Sequence, residues 1–585
     1  MANSFLQKCN CLHRGLNPSV GRYKWAVLGF LLAAVLLLIP RYNTAGIQSN
    51  TPAGGCEYWV APDPEGSNGN PGTFAEPWAT LEYASANVPD DGCTVWFKDG
   101  TYSGLNNPKE RFTAMTTFKA VNPYLAILEN DGLSIELDGV RNMLFEGFQL
   151  RHNGPVSGDY IVIMDRRDDI WSEYVIFRNN IFYDAYNNDL LKIRDGSRFV
   201  TVENNIFYNQ GASDQHIDVN GVTDIVIQDN IFFNDFAGSG RSDDSDSKHF
   251  IVVKDSNDSS DGLEGAERIT IQRNIFLNWE GYPETFVQIG NDGKPYHEAE
   301  MVWVVNNLLI GNSDKVANAA FGVRGAKDVT FANNTVVGDF PSEAYAFWIN
   351  ISGDNPLNQN IAFYNNIWAD PTGTMGASGS GDSNEFATGN ANVTTNLVLD
   401  NNLYWNGGEA IPPGDPISPT DDDRRLVADP ELNTNQSGVV LPRWQGTEFL
   451  SGNTTIRQEF ERLVDTYGRL PNSSPAIGQA DPAFAPVDDI LGNYRGIVAD
   501  MGAFEYGTIT LDERQYLPLI FKTTTGAGAG QADLFVSKTE GIAPDNVISV
   551  DCADQHSFSL SFLCVLRTLS SLFSQGYIFN VCRIW

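Results

Sequence analysis

Lys192, Arg194, Asp218 and Lys254 are the side chains whose type and spacing best suit chemistry, and each sits in a short apolar alternation: Leu191-Lys192-Ile193-Arg194, Ile217-Asp218-Val219-Asn220 and Ile251-Val252-Val253-Lys254. In a strand, successive side chains face opposite sides. Turning the apolar pairs Leu191/Ile193, Ile217/Val219, Ile251/Val253, Val287/Ile289 and Phe321/Val323 inward sends Lys192, Asp218, Val252, Gln288 and Gly322 outward in one column. Arg194, Asn220, Lys254, Gly290 and Arg324 form the next. With neighbouring strands about 4.8 Å apart, Lys192, Arg194, His216, Asp218, Asn220 and Lys254 share one patch. Such a patch is a cationic island able to hold an anionic ligand; the plainer alternative is a solvated ladder with a Lys192–Asp218 surface ion pair, worth about 0–1 kcal/mol. Hydrolysis of a glycosidic bond asks instead for two carboxylates about 5–5.5 Å or 6.5–9.5 Å apart. Asp218 has no second acid aligned beside it, and Asp189 and Asp214, at the starts of strands, are the candidates to approach it.

The elements that must position these residues are repeats. VIFRNNIFY, VTVENNIFY, IVIQDNIFF, ITIQRNIFL, VWVVNNLLI, VTFANNTVV, IAFYNNIWA and LVLDNNLYW are eight copies of one phrase, an apolar alternation running into a polar pair and then a second apolar group. The second residue of each pair falls at Asn180, Asn205, Asn230, Asn274, Asn307, Asn334, Asn366 and Asn402, at spacings of 25, 25, 44, 33, 27, 32 and 36. Units of this size bury an apolar face only by stacking on their neighbours. Period-two alternation, as in Val200 and Val202 against Thr201 and Glu203, makes the stacked pieces strands. Asn suits the bend because it tolerates left-handed backbone and bonds locally, and in register such side chains form an amide ladder. The pattern predicts an all-β fold, a parallel β-helix solenoid with an apolar interior and solvent-facing outer strand faces. Tandem helical repeats fail on the period. Parallel crossovers take the right hand.

The chain has 585 residues, 42% hydrophobic and 19% charged, with 54 Gly and 28 Pro, as a turn-rich globular β protein should. A net charge of -35 argues against a nucleic-acid partner, which needs a basic footprint. The same field repels an acidic polysaccharide unless bound cations or a local basic cluster reverse it. Arg14, Arg22 and Lys24 precede an apolar run from Trp25 to Ile39 that ends at Pro40 and Arg41. That run is short for a bilayer span and suits an export signal, so residues 1–45 are expected to be a signal peptide or, if uncut, an N-terminal membrane anchor. The protein is expected to be secreted or at the cell surface, with membrane contact only through that segment. Of seven cysteines, Cys56 and Cys93 alone lie in the body between this segment and the tail, and they are expected to form one disulfide.

Residues 56–125 read as an N-terminal cap and first rungs, with a short helix at about 78–87 over the end of the core. Residues 126–406 are the β-helix proper. Residues 407–508 form a closing segment, and 509–585 a linker and an apolar, Ser-rich tail that is a small packed segment, an anchor or unstructured. The stretch GNPGTFAEPWATLEYASANVPDDGCTVWFKDGTYSG is similar to the opening turn of many extracellular right-handed β-helix enzymes, of the pectate-lyase-like kind. SPAIGQADPAFAPVDDILGNYRGIVADMGAFEY is similar to their closing segment.

Function on a solenoid sits on outer strand faces and in loops between rungs, and the longest interval, from Asn230 to Asn274, carries two polar insertions around HFIVVKDSN. This strand, with NIFLNWEG and FVQIGND, resembles the central rungs of the chondroitinase B and alginate lyase family of polysaccharide lyases. The resemblance implies a uronate-containing polysaccharide as substrate, Lys254 as the base that removes the proton α to the carboxylate, and calcium stabilising the enolate. Lys192 and Arg194 are the accompanying cations, and His216, Asp218, Asn220 and Gln288 the substrate contacts. Ser247 and His249 stand where the family has acidic ligands, and Gln288 where it has an arginine. Asp243, Asp244 and Asp246 in the preceding insertion are the oxygen donors suited to a hard cation. A lysine base needs its pKa lowered by desolvation or nearby cations, and Arg194 is the cation placed to do so. Trp279, Tyr282 and Trp303 are aromatic residues suited either to stacking on sugar faces or to packing. The rival reading is a non-catalytic adhesive or glycan-binding surface protein, since fold alone does not choose.

Overall fold

The repeat unit folds as a corner. In the copy at 175–183, Glu173–Arg178 forms a strand, Asn179 and Asn180 turn the chain, and Ile181–Tyr183 forms the next strand. Each later copy does the same in register, Val175 opposite Val200 and Phe182 opposite Phe207, and every such pairing is parallel. The computed structural model describes residues 56–507 apart from 156–158, 212–214, 242–246, 313–314, 316, 339–344, 377–385, 387, 390–392, 415–416 and 497, and four strands beyond. It divides into two units, Met1–Tyr506 and Gly507–Trp585.

The first unit is a parallel β-helix of three sheets with 12, 12 and 9 strands. The first sheet runs from Glu57–Val60 to Thr394–Asp400, the second from Gly100–Ser103 to Leu426–Val427, and the third from Ile135–Asp138 to Thr388–Gly389. Right-twisted strands joined by parallel crossovers give it the right hand. Its interior is a column of apolar side chains stacked rung on rung. Phe182, Phe207, Phe232 and Phe276 follow one another at ring separations of 4.6, 5.1 and 4.9 Å, near-parallel.

The expected amide ladder is present and divides the labour within each polar pair. The first residue takes the left-handed conformation, φ 51–62° from Asn179 to Asn401, Asp229 and Arg273 included. The second is wholly buried. Its Oδ1 accepts the backbone N–H and the side-chain Nδ2–H of the Asn one rung earlier, at 2.8–3.2 Å from Asn205 to Asn402. The ladder ends on Asp422 Oδ2, which accepts both donors of Asn402. The buried Asn of each bend is thereby hydrogen-bonded within the protein.

Cys56 and Cys93 are bonded, as expected. The helix spans Leu81–Asn87, three residues shorter at its start than the sequence suggested, because Thr80 caps it by accepting the Tyr83 N–H. Trp78 instead bridges to Val60 as strand. Leu81 and Ala84 are buried in the core cluster.

From Ile181 to Ala369 the outer face of the second sheet does not meet solvent, against expectation. Ile181, Tyr183, Ile206, Tyr208, Ile231 and Phe233 form a second apolar cluster with Leu432, Phe449, Phe460, Leu463 and Phe504. The physical reason is in the repeat: the Ile-Phe-Tyr segment is apolar on both faces, so both must be covered. The segment predicted to close the coil supplies the cover by running back along that sheet. A helix Ile456–Leu463, capped by Thr455 and Gln458, lies in this cover. Arg495, buried, pairs with Glu505 at 2.9 Å and reaches Asn306 Oδ1 at 3.0 Å. Residues 492–495 and 500–505 of the predicted closing segment are thus a clasp.

In the second unit, Pro518–Thr523 and Ala532–Val536 pair antiparallel, as do Ala532–Val536 and Val547–Val550, with Asn580–Val581 parallel to the first. The apolar run at 25–39 lies outside the described residues, among which no helix is long and apolar enough to cross a membrane.

Candidate functional site

The predicted register holds on the third sheet: Lys192 stands opposite Asp218 and Asp218 opposite Val252, while Arg194, Asn220 and Lys254 align one place further on. Three successive rungs therefore place Lys192, Asp218 and Lys254 together. Lys192 Nζ donates to Asp218 Oδ2, Lys254 Nζ lies 3.6 Å from the same oxygen, and Lys192 also lies 4.0 Å from Asp189 Oδ2. Lys254 makes a second ion pair with Asp292 at 3.3 Å. Asp218 is nearly inaccessible, with its side chain 4% exposed against 15% for Lys254, so Lys254 is the member a ligand reaches.

These residues line a cleft of about 430 Å³, with Tyr160, Asn188, Asp189, Gln215, Lys248, His249, Glu284, Asn291 and Arg324 around them. Lys192, Lys248, Lys254 and Arg324 supply four cations against the carboxylates of Asp189, Asp218 and Glu284, with Asp292 adjoining through Lys254. Within a chain of net charge -35 the cleft is close to neutral, which is the local relief an acidic ligand needs. Arg324, two strands beyond Lys254 in the sheet, is fixed by Asn291 at 3.0 Å and Glu284 at 3.2 Å.

The cleft keeps Lys192 and Lys254 charged. Burial opposes the charge on Lys254, but Asp218, Asp292 and Asp189 outweigh it and hold the ammonium well above the ordinary lysine range. Lys192 is likewise raised, burial being overcome by Asp218 and Asp189. Asp218 is lowered: burial resists its ionisation, and the two lysines prevail. His249 is buried, its Nδ1–H donating to the Thr285 carbonyl at 2.8 Å, and burial lowers its pKa to about 3, so the imidazole is neutral. Burial raises the Tyr160 phenol, whose ring lies 5.9 Å from Lys192 Nζ.

Several expected members are elsewhere. Arg194 does not act on Lys254; Asp165, from the preceding strand, takes its guanidinium at 2.6 and 2.8 Å. Asn220 is bound to Ser256, its Oδ1 accepting the Ser256 N–H at 2.9 Å. His216 points inward: it is wholly buried, 4.8 Å from the Phe250 ring, with Nε2 3.1 Å from Asn234 Oδ1, and burial lowers its pKa to about 3. The strand parity that sends residue 218 outward does not extend past the corner to residue 216. Gln288 faces outward but is wholly covered, its amide bonded to Thr285 Oγ1 at 3.0 Å and Gly290 O at 2.7 Å. A side chain on Gly322 would stand 2.1 Å from Gln288 Oε1, so the glycine makes room for that folded-back amide. Trp279 packs in the core, 4.9 Å from Phe250, and Trp303 stands on the first sheet. Tyr282 is exposed, under the Lys248 ammonium at 4.0 Å.

Asp189 does approach Asp218, through Lys192; Asp214 lies outside the described residues. Asp243, Asp244 and Asp246 lie outside them as well. Among the described residues no three carboxylate, imidazole or thiol groups converge as a metal site, and the carboxylates of the cleft are engaged by lysine and arginine. Sequence reasoning missed Tyr160, Asn188, Gln215, Lys248, Glu284, Asn291 and Asp292, which come from segments flanking the strands and carry no periodic signal.

The three all-parallel sheets define the class, a right-handed parallel β-helix with a polar cleft on its third sheet. Neither a family model nor a curated protein matches the chain. Among solved structures it is similar to an alginate lyase from Paenibacillus sp. str. FPU-7, at 16% identity over 55% of this chain and 94% of that one, TM-score 0.36. It is similar to pectate lyase Pel9A, at 14% over 77% and 96%, TM-score 0.43. A third is PfbA, a surface adhesin of Streptococcus pneumoniae, at 14% over 56% and 85%, TM-score 0.34. These are likenesses of coil architecture, and the fold assignment rests on the sheets themselves.

Proposed function

We propose that this protein is an exported, carbohydrate-active β-helix whose third-sheet cleft takes an acidic polysaccharide, and that it acts on uronate-containing chains as a lyase. The observation that carries the reading is the convergence of Lys192 and Lys254 on one oxygen of Asp218 in a near-neutral cleft of a strongly acidic chain. A uronate carboxylate entering the cleft meets Lys254 and Arg324. In β-elimination Lys254 Nζ, in its neutral form, takes the proton α to that carboxylate. The C–H electrons form the new carbon–carbon double bond, and the 4-linked sugar leaves with the C–O electrons. Because Asp218 and Asp292 hold Lys254 charged, the step belongs to alkaline pH. Calcium on Asp243, Asp244 and Asp246 is part of the proposal, and no step here depends on it.

The test is the ultraviolet absorbance of an unsaturated uronide on incubation with alginate, pectate and chondroitin, with and without calcium. Activity on at least one polymer, abolished by Lys254→Ala, is expected; silence on all of them sinks the lyase. One observation favours a second reading, a non-catalytic glycan-binding surface protein: both lysines are held as cations by carboxylates, as suits binding more than proton abstraction. That reading expects measurable glycan binding without new absorbance.

A further inference from the structure

Glu298 is a wholly buried carboxylate that precedes the first-sheet strand Ala299–Val305 and takes no direct part in the cleft. Its Oε2 accepts the backbone N–H of Asn291 at 2.9 Å and of Asp292 at 2.8 Å. Its Oε1 accepts those of Gly293 at 2.6 Å and Lys294 at 3.2 Å, and the Asn355 side-chain amide at 2.8 Å. Four consecutive peptide N–H groups around one anion form a nest, an arrangement in which backbone dipoles and charge stabilise each other. Gly293 has φ 76° and abuts Gly353, which would stand 2.9 Å from a Cβ at that position. The turn is therefore built around the carboxylate.

That turn carries two residues of the cleft wall: Asp292, 3.3 Å from Lys254 Nζ, and Asn291, whose Oδ1 accepts from Arg324 at 3.0 Å. Resting on the reading of this cleft as the functional site, we infer that Glu298 is its positioning residue, holding the turn at 291–294 so that Asp292 meets Lys254 and Asn291 orients Arg324. Lys254 is also faced by Asp218, Asp189 and Lys192, with Lys248, His249, Glu284 and Arg324 lining the same cleft; among its ion-pair partners Asp292 is the one that Glu298 controls and the strand does not.

The test reads Lys254 without any glycan. Competitive amine labelling of the full chain at pH 9, followed by mass spectrometry, compares wild type with Glu298→Gln, Asp292→Asn and Asn355→Ala. Gln keeps the side-chain volume but turns an NH₂ toward the nest. Labelling of Lys254 should rise by about tenfold in Asp292→Asn, as a tenfold larger neutral fraction requires, and by a similar factor in Glu298→Gln. Asn355→Ala, which removes one of the five bonds, should fall between, and Lys119 on the first sheet should label as in wild type. A wild-type rate at Lys254 in Glu298→Gln, with Asp292→Asn accelerated, overturns the inference, as does a rise at Lys119 equal to that at Lys254. Should Glu298→Gln fail to fold, Asn355→Ala decides between the same outcomes. Calorimetric titration of wild type with short oligosaccharides of alginate, pectate and chondroitin tests the cleft reading separately: binding of none of them beside the expected labelling sinks that reading and leaves the role of Glu298 intact.

Discussion

Lys254 Nζ lies 3.6 Å from Asp218 Oδ2, an oxygen that also accepts from Lys192 one rung away on the other side. One carboxylate oxygen thus serves two ammonium groups that the chain brings in from different coils. Removing Asp218 leaves Lys192, 9% exposed, with Asp189 at 4.0 Å as its ion-pair partner. Asp218→Ala should therefore cost about 3 kcal/mol, the low end for breaking a buried pair, measured by chemical denaturation. A loss within the noise of a surface substitution would show the pair to be solvated.

If Lys254 is the base, lyase rate should follow its neutral fraction. Its pKa is raised, so far below that value kcat/KM should climb about tenfold per pH unit from pH 8 to 10. A flat profile there removes Lys254 from proton abstraction and leaves it as a binding cation.

Asp255 gives a stability signature of its own. Burial raises its pKa to about 6, although the Gly265 and Asn257 N–H groups oppose this. A carboxyl whose folded pKa lies above its unfolded value stabilises the protein below about pH 4, and that contribution is lost as pH rises through 6. Asp255→Asn should flatten the melting temperature over pH 4–6 relative to wild type. An unchanged slope would place the group in solvent.

The amide ladder should behave as one structure. Asn274→Ala strips Asn230 of the acceptor for its N–H and Nδ2–H, at 3.1 and 3.0 Å, and the Ile227 carbonyl of its donor at 2.9 Å. With all of them buried, a loss of at least about 3 kcal/mol follows from unsatisfied polar groups. A much smaller loss would mean water reaches the corner.

Arg495 holds the cover on the second sheet through Glu505, Asn306 and the carbonyls of Gly502 and Ala503. Arg495→Leu leaves the buried Glu505 without its cation, and limited proteolysis should then cut residues 478–506 faster than the strands beneath. Equal rates would show that the apolar contacts alone fasten this segment.

The sequence by itself determined the coil. Period-two alternation admits one way of burying Leu191 with Ile193 and Ile217 with Val219, and that choice aligns Lys192 with Asp218 and Lys254 with Asn220. The Asn at each corner can satisfy its neighbours only in register, so the ladder and the stacking were legible together, as was the Cys56–Cys93 bond. The tertiary structure decided which outward residues do anything. Parity ends at a corner, which is why His216 went to the core. Arg194 met Asp165 on a strand outside the aligned set, and Gln288 folded back into the space left by Gly322. The partners that set the charge of Lys254 include Asp292, and the anchor of its turn is Glu298. A turn has no period, so its side chains find their neighbours only when the coils have closed around them.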